Sequence, residues 1–118
     1  MNSATPDLPP GLPTVSVVVP TFQRAGALPT VVEPLLVERG LHELVVVVDG
    51  STDGSAEWLR ARALQDARLI VVERENGGIA AARQSGLERA TGDVVLFLDD
   101  DVVPEPGLVR RHAWAAPR

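Results

Sequence analysis

Four short apolar runs, at residues 15–19, 44–48, 69–72 and 94–98, constrain this chain more than any other feature. Each is dominated by Val, Leu or Ile and bounded by turn-forming residues, which reads as strand. None shows strict apolar–polar alternation, so each expects cover on both faces. The stretches between them carry helical spacing. Residues 27–39 place Leu28, Val31, Val32, Leu35 and Leu36 on one side, with Gly40 as a stop. Pro29 suits the first turn of that helix, and Pro34 predicts a kink or a shifted start. Residues 56–65 follow the turn Ser51-Thr52-Asp53-Gly54-Ser55 and point Trp58, Leu59, Ala63 and Leu64 inward. Residues 79–90 run between Gly77-Gly78 and Gly92, and 104–115 form a last helix. Alternation of this kind predicts an α/β fold, a Rossmann-like parallel sheet with helices on both faces.

Right-handed crossovers bring the carboxyl ends of all such strands to one edge, where open α/β sheets bind ligands. The residues due at that edge are polar. Thr21, Gln23 and Arg24 follow the first strand, and Asp49, Ser51 and Asp53 the second. Glu73, Arg74, Glu75 and Asn76 follow the third, and Asp99, Asp100 and Asp101 the fourth. Asp49 suits acceptance of a nucleobase N–H or a ribose hydroxyl; the alternative is a turn carboxylate, a role that Asp53 fits better. Arg83, early in the third helix, suits a diphosphate, or else an exposed helical position. Asn76-Gly77-Gly78 lets backbone approach a ligand. His42 and His112 read as turn and helix residues, and Trp58 and Trp114 as packing.

Three carboxylates in a row repel one another unless water or a cation separates them. In an extended chain, residues two apart share a side, so Asp99 and Asp101 can face one hard divalent ion. Oxygen ligands suit Mg²⁺ or Mn²⁺, which commonly bridge carboxylates to substrate phosphates. The alternative is a solvated acidic loop.

Composition narrows the partners. With 118 residues and 45% apolar content, one globular domain is the ceiling. The net charge of −5 argues against a nucleic-acid backbone as partner. All eleven basic residues are arginine, which removes a P-loop or Schiff-base lysine. The absence of cysteine excludes disulfides, thiolate catalysis and zinc–thiolate sites, and fits a cytoplasmic protein. No apolar stretch approaches the ~20 residues of a transmembrane helix. Pro6, Pro9, Pro10 and Pro13 predict a flexible lead-in over residues 1–14, and that segment lacks the pattern of a signal peptide.

Taken in order, these segments resemble family 2 inverting glycosyltransferases. Val15-Ser16-Val17-Val18-Val19-Pro20-Thr21-Phe22-Gln23-Arg24 is similar to their opening strand. Asp49-Gly50-Ser51-Thr52-Asp53 is similar to a second-strand motif in which the family usually has two aspartates before the glycine; here the first is Val48. Asn76-Gly77-Gly78, Ala80-Ala81-Ala82-Arg83 and Gly86 match the N-x-G-x-x-x-A-R-x-x-G helix. Gly92-Asp93 and Phe97-Leu98-Asp99-Asp100-Asp101 match the G-D strand and the D-x-D motif.

The resemblance implies a glycosyltransferase-A fold over residues 15–118 and transfer of sugar, with inversion, from a nucleotide diphosphate that is often uridine-based. It implies donor contacts from Pro20, Thr21, Arg24, Asp49, Ser51, Asn76, Gly77, Arg83, Asp99 and Asp100, with Mn²⁺ or Mg²⁺ on Asp99 and Asp101. It leaves the acceptor open and implies a cytoplasmic location, including the inner face of the membrane. Family members continue well past the D-x-D strand, where they carry the carboxylate base; Glu105, His112 and Arg118 do not fit that part. The expectation is therefore a donor-binding half, truncated after the D-x-D strand and prone to self-association through its incomplete edge. The alternative is a nucleotide-sugar-binding module without turnover.

Overall fold

The computed structural model of the chain describes residues 11–115. Its elements alternate: β1 (Val15–Thr21), α1 (Leu28–Leu36), β2 (Leu41–Asp49), α2 (Ser55–Ala63), β3 (Leu69–Arg74), α3 (Ile79–Arg89), β4 (Val94–Phe97) and α4 (Leu108–Ala115). The four strands form one sheet in the order β3-β2-β1-β4, and every neighbouring pair is parallel.

The path of the chain decides which helix covers which face. It moves from β1 through β2 to β3, then returns past both to place β4 beside β1. A right-handed crossover lays its helix on one face when it runs one way, and on the other when it runs back. One face of the sheet presents Val15, Val17, Val19, Leu44, Val46 and Val48 to α1, α2 and α4. The opposite face presents Val18, Val45 and Val47 to Ala82 of α3. All seven residues of β1 are buried. The reversal lies between β1 and β4, and open sheets bind ligands at such a switch point.

Helix α3 sits close because Gly86 carries no side chain; a Cβ there would stand 2.3 Å from Val18 Cγ1 and 3.1 Å from Val47 Cγ2. At the amino-terminal edge of the sheet, Glu43 ties three elements together. Its Oε2 accepts from Ser16 Oγ at 2.7 Å and from the Thr91 N–H at 2.5 Å, while the Gly92 N–H donates to Ser16 Oγ at 2.8 Å. Burial by itself pushes the Glu43 carboxyl up, but the Thr91 and Ser16 donors together hold it below the usual range.

The structure departs from the sequence reading at several places. Helix α1 ends at Leu36, and Pro34 sits inside it. The helix expected from residue 104 begins at Leu108, because Pro104, Glu105 and Pro106 stay outside it. Leu64, expected inward, is 90% exposed beyond the end of α2. Of the lead-in, residues 1–10 lie outside the described residues. Leu12 packs against the main core, and Thr14 Oγ1 donates to Asp93 Oδ2 at 3.2 Å, so the folded unit begins before Val15. Among the described residues no helix is long and apolar enough to cross a membrane.

Two outcomes follow from this packing. Gly86→Ala forces α3 away from the sheet and lowers stability by about 1–3 kcal/mol in urea unfolding. Glu43 has a depressed folded pKa, so its contribution is present at neutral pH and is lost as pH falls below the usual carboxylate range. Unfolding measured from neutral to acid pH is expected to show a shallower acid loss for Glu43→Gln than for the parent chain.

Candidate functional site

The carboxyl ends of the strands enclose a cleft of about 350 Å³, lined by Pro20, Thr21, Phe22, Arg24, Asp49, Asn76, Gly78, Ile79, Ala82 and Asp100. Three strand ends and the start of α3 thus supply one concavity, as the topology requires.

Asp49 closes β2 and is nearly enclosed. Its Oδ1 accepts the Gly77 N–H and its Oδ2 the Gly78 N–H, both at 3.0 Å. Its own carbonyl accepts from Asn76 Nδ2 at 3.0 Å. These amides stand just before α3, where N–H groups lack helical partners, and a carboxylate is the natural acceptor there. Gly50 makes the approach possible: it adopts φ +82°, and a Cβ would lie 2.8 Å from the Asn76 nitrogen. Arg74, at the end of β3, meets the same turn. Its Nε is 3.2 Å from Asp49 Oδ1 and donates to the Glu75 carbonyl, and its Nη1 donates to the Ala81 carbonyl and Ser85 Oγ.

The loops after β1 and β2 are stapled together. The Gln23 N–H donates to Ser51 Oγ at 2.8 Å, and the Gln23 side-chain amide exchanges hydrogen bonds with the Thr52 N–H and hydroxyl. Gln23 adopts φ +54° to do so. Asp53 accepts from the Ala25 N–H and from Ser55, as a turn carboxylate should.

The acidic triplet corrects one geometric expectation. Strand β4 ends at Phe97, and the Val102 N–H donates to the Asp99 carbonyl at 3.3 Å, so residues 99–102 turn instead of extending. The two-residue alternation that set Asp99 and Asp101 side by side does not operate. Asp100 is the member that lines the cleft: its Oδ2 accepts from Thr21 Oγ1 at 2.9 Å, and its Oδ1 is 3.9 Å from Arg24 Nε. Asp99 Oδ1 instead lies 3.4 Å from Arg83 Nη2. Among the described residues no three acidic or histidine side chains form a ready-made metal cage.

Of the residues singled out from sequence, Pro20, Thr21, Arg24, Asp49, Asn76 and Asp100 line the cleft. Gly77 joins them through its amide, whereas Ser51 is engaged with Gln23, and Arg83, Asp99 and Asp101 stand outside the lining. Phe22 and Ile79, 50% and 55% exposed, were missed as apolar walls. Their exposure has no signature in the apolar pattern. Arg74 was read only as a rim residue; its position three before Gly77 was the available clue. His42 Nε2 lies 2.9 Å from Thr91 Oγ1, and His112 Nδ1 lies 2.9 Å from the Leu108 carbonyl within α4.

Fold and site define an open α/β domain with its polar groups gathered at the switch point of a glycosyltransferase-A-type sheet. The chain belongs to Glycosyl transferase family 2, which it matches over residues 16–116. It is 40% identical, over 109 residues, to the undecaprenyl-phosphate 4-deoxy-4-formamido-L-arabinose transferase of Pseudomonas aeruginosa, covering 84% of this chain and 32% of that enzyme. The Pyrobaculum calidifontis mannosyltransferase in complex with GDP-Man and Mn²⁺ superposes with a TM-score of 0.78 at 28% identity, over 99% of this chain and 36% of that one. The Mycobacterium tuberculosis glucosyl-3-phosphoglycerate synthase, in complex with Mn²⁺, UDP and glucosyl-3-phosphoglycerate, gives 0.66 at 31% identity, over 85% and 38%. The chain therefore spans about a third of the length of these relatives.

The contact between the two loops is the part of this geometry most open to test. Gly50→Ala is expected to cost about 1–3 kcal/mol from clash and left-handed strain, and to speed amide exchange at Gly77 and Gly78.

Proposed function

We propose that this chain is the donor-binding half of an inverting glycosyltransferase, which holds a nucleotide-diphosphate sugar with a divalent cation for transfer to an acceptor hydroxyl. The observation that carries this reading is the convergence of Thr21, Arg24, Asp49 and Asp100 on one cleft at the switch point of the sheet. Relatives crystallised with GDP-Man or UDP and Mn²⁺ support it.

The walls suit a nucleotide. Phe22 and Ile79 offer apolar surface to a base, and Asp49 stands between the turns that carry them. Arg24 is the cationic side chain lining the cleft, where it suits a diphosphate. Asp99, Asp100 and Asp101 fit a cation in the manner of Mg²⁺ and Mn²⁺, which take one or two carboxylates and complete their shell with water and phosphate oxygens. Such an ion, when bound, neutralises charge on the departing diphosphate. Thr21 holds Asp100 in place, and Arg83 does the same for Asp99.

A second reading, a binding module without turnover, rests on a specific observation. The carboxylates lining the cleft are Asp49 and Asp100, and both are already engaged. Among the described residues no further carboxylate lines the cleft as a base for an acceptor hydroxyl.

Calorimetry with UDP and GDP, with and without Mn²⁺, tests the main reading. Binding that strengthens with Mn²⁺ is expected, and Asp100→Asn should weaken it by about tenfold while leaving the circular dichroism spectrum unchanged. A folded chain that binds neither nucleotide overturns the reading. Release of free sugar from a bound donor would separate turnover from simple binding.

A further inference from the structure

We infer that Gln23 is a positioning residue: its side-chain amide clasps the loop after β2, and the clasp holds Arg24 at the cleft for a diphosphate. The inference deepens the donor-site reading above and rests on it.

Gln23 adopts φ +54°, and among the described residues it is the one non-glycine residue with positive φ. Left-handed backbone is unfavourable for a residue with a Cβ and persists only where the surroundings over-determine it. Here they do. The Gln23 N–H donates to Ser51 Oγ at 2.8 Å, its Oε1 accepts the Thr52 N–H at 2.7 Å, and its Nε2 donates to Thr52 Oγ1 at 3.1 Å. Two residues on, the Ala25 N–H donates to Asp53 Oδ2 at 2.9 Å. Glycine would adopt the same backbone without strain. What Gln23 adds is an amide that meets a donor and an acceptor of Thr52 at once.

Arg24 stands between these attachments. Its carbonyl accepts the Ala27 and Leu28 N–H groups at 2.9 and 3.0 Å, which ties its backbone to the start of α1 as well. Its guanidinium is held less closely. Nε is 3.9 Å from Asp100 Oδ1, beyond hydrogen-bonding distance, and the side chain is 42% exposed. Such a group can turn its donors to phosphate oxygens, and the backbone is what aims it. Phe22 follows β1 directly, whereas Arg24 comes after the turned residue. The clasp therefore governs Arg24 before it governs the apolar wall.

The test is a double-mutant cycle, read by calorimetry with Mn²⁺ and whichever of UDP and GDP the parent binds more tightly. The chains are the parent, Gln23→Gly, Arg24→Gln and the double variant, and urea unfolding of each is followed without nucleotide. In Gln23→Gly, relief of strain offsets the lost bonds and the freer unfolded chain, so its urea midpoint is expected to stay near the parent's. Its affinity should fall severalfold, and that of Arg24→Gln about tenfold. Because Gln23 acts through Arg24, the double variant should bind no more weakly than Arg24→Gln. Thr52→Ala, alone and with Arg24→Gln, should show the same coupling at smaller size, and it carries the test if Gln23→Gly fails to fold. Unchanged affinity in a folded Gln23→Gly, whatever its urea midpoint, marks a purely structural clasp and overturns this inference alone. So does a loss that persists in full on the Arg24→Gln background. A folded parent that binds neither nucleotide overturns the donor-site reading and this inference with it.

Discussion

Strands β1 and β2 have no wet face. Their valines and leucines point to both sides of the sheet, and parallel strands of this kind persist only when helices close both sides. That requirement explains the path of the chain. Two crossovers in one direction cover the first face, and the second face is covered only if the chain turns back. The return stroke supplies α3 and drops β4 beside β1. The cleft is a by-product of this reversal, because the loops after β1 and β4 diverge where the direction changes.

The cleft is held by polar contacts that the greasy sheet cannot provide. Asp49 answers two amides at the start of α3, Gln23 binds the first two loops together, and Thr21 anchors Asp100. Each contact joins residues that are far apart in sequence but close at the strand ends. Close packing makes room for them: glycine at 50 admits the Asn76 backbone, and glycine at 86 lets α3 reach Val18. The opposite edge uses the same device, with Glu43 answering Ser16 and Thr91. Both ends of the sheet are thus pinned by a buried carboxylate, one behind the ligand edge and one away from it.

Much of the fold was legible. The four runs became four strands, and the helix spacings became helices in the same order. Boundaries slipped where local chemistry competes, at Pro34 within α1 and at Pro104–Pro106 before α4. The site was legible in part. Asp49, Thr21, Arg24 and Asp100 could be placed at one rim because a parallel sheet sends its strand ends there. The division of labour among the three aspartates could not be read, because it depended on whether residues 99–101 extend or turn, and they turn. The engagement of Ser51 with Gln23 was equally hidden, since it pairs residues from different loops.

From the amino-acid order alone came the layered α/β class, the number of strands, the acidic character and the family resemblance. The class and the strand count rest on periodicity, the acidic character on composition, and the resemblance on four short motifs in order, all of them local properties. Tertiary structure alone decided that Asp100 faces the cleft, that Asp49 is enclosed by Gly77, Gly78 and Arg74, and that Phe22 and Ile79 form its walls. Those outcomes belong to pairs of distant residues whose meeting depends on strand order and helix placement, and no stretch of sequence contains both partners.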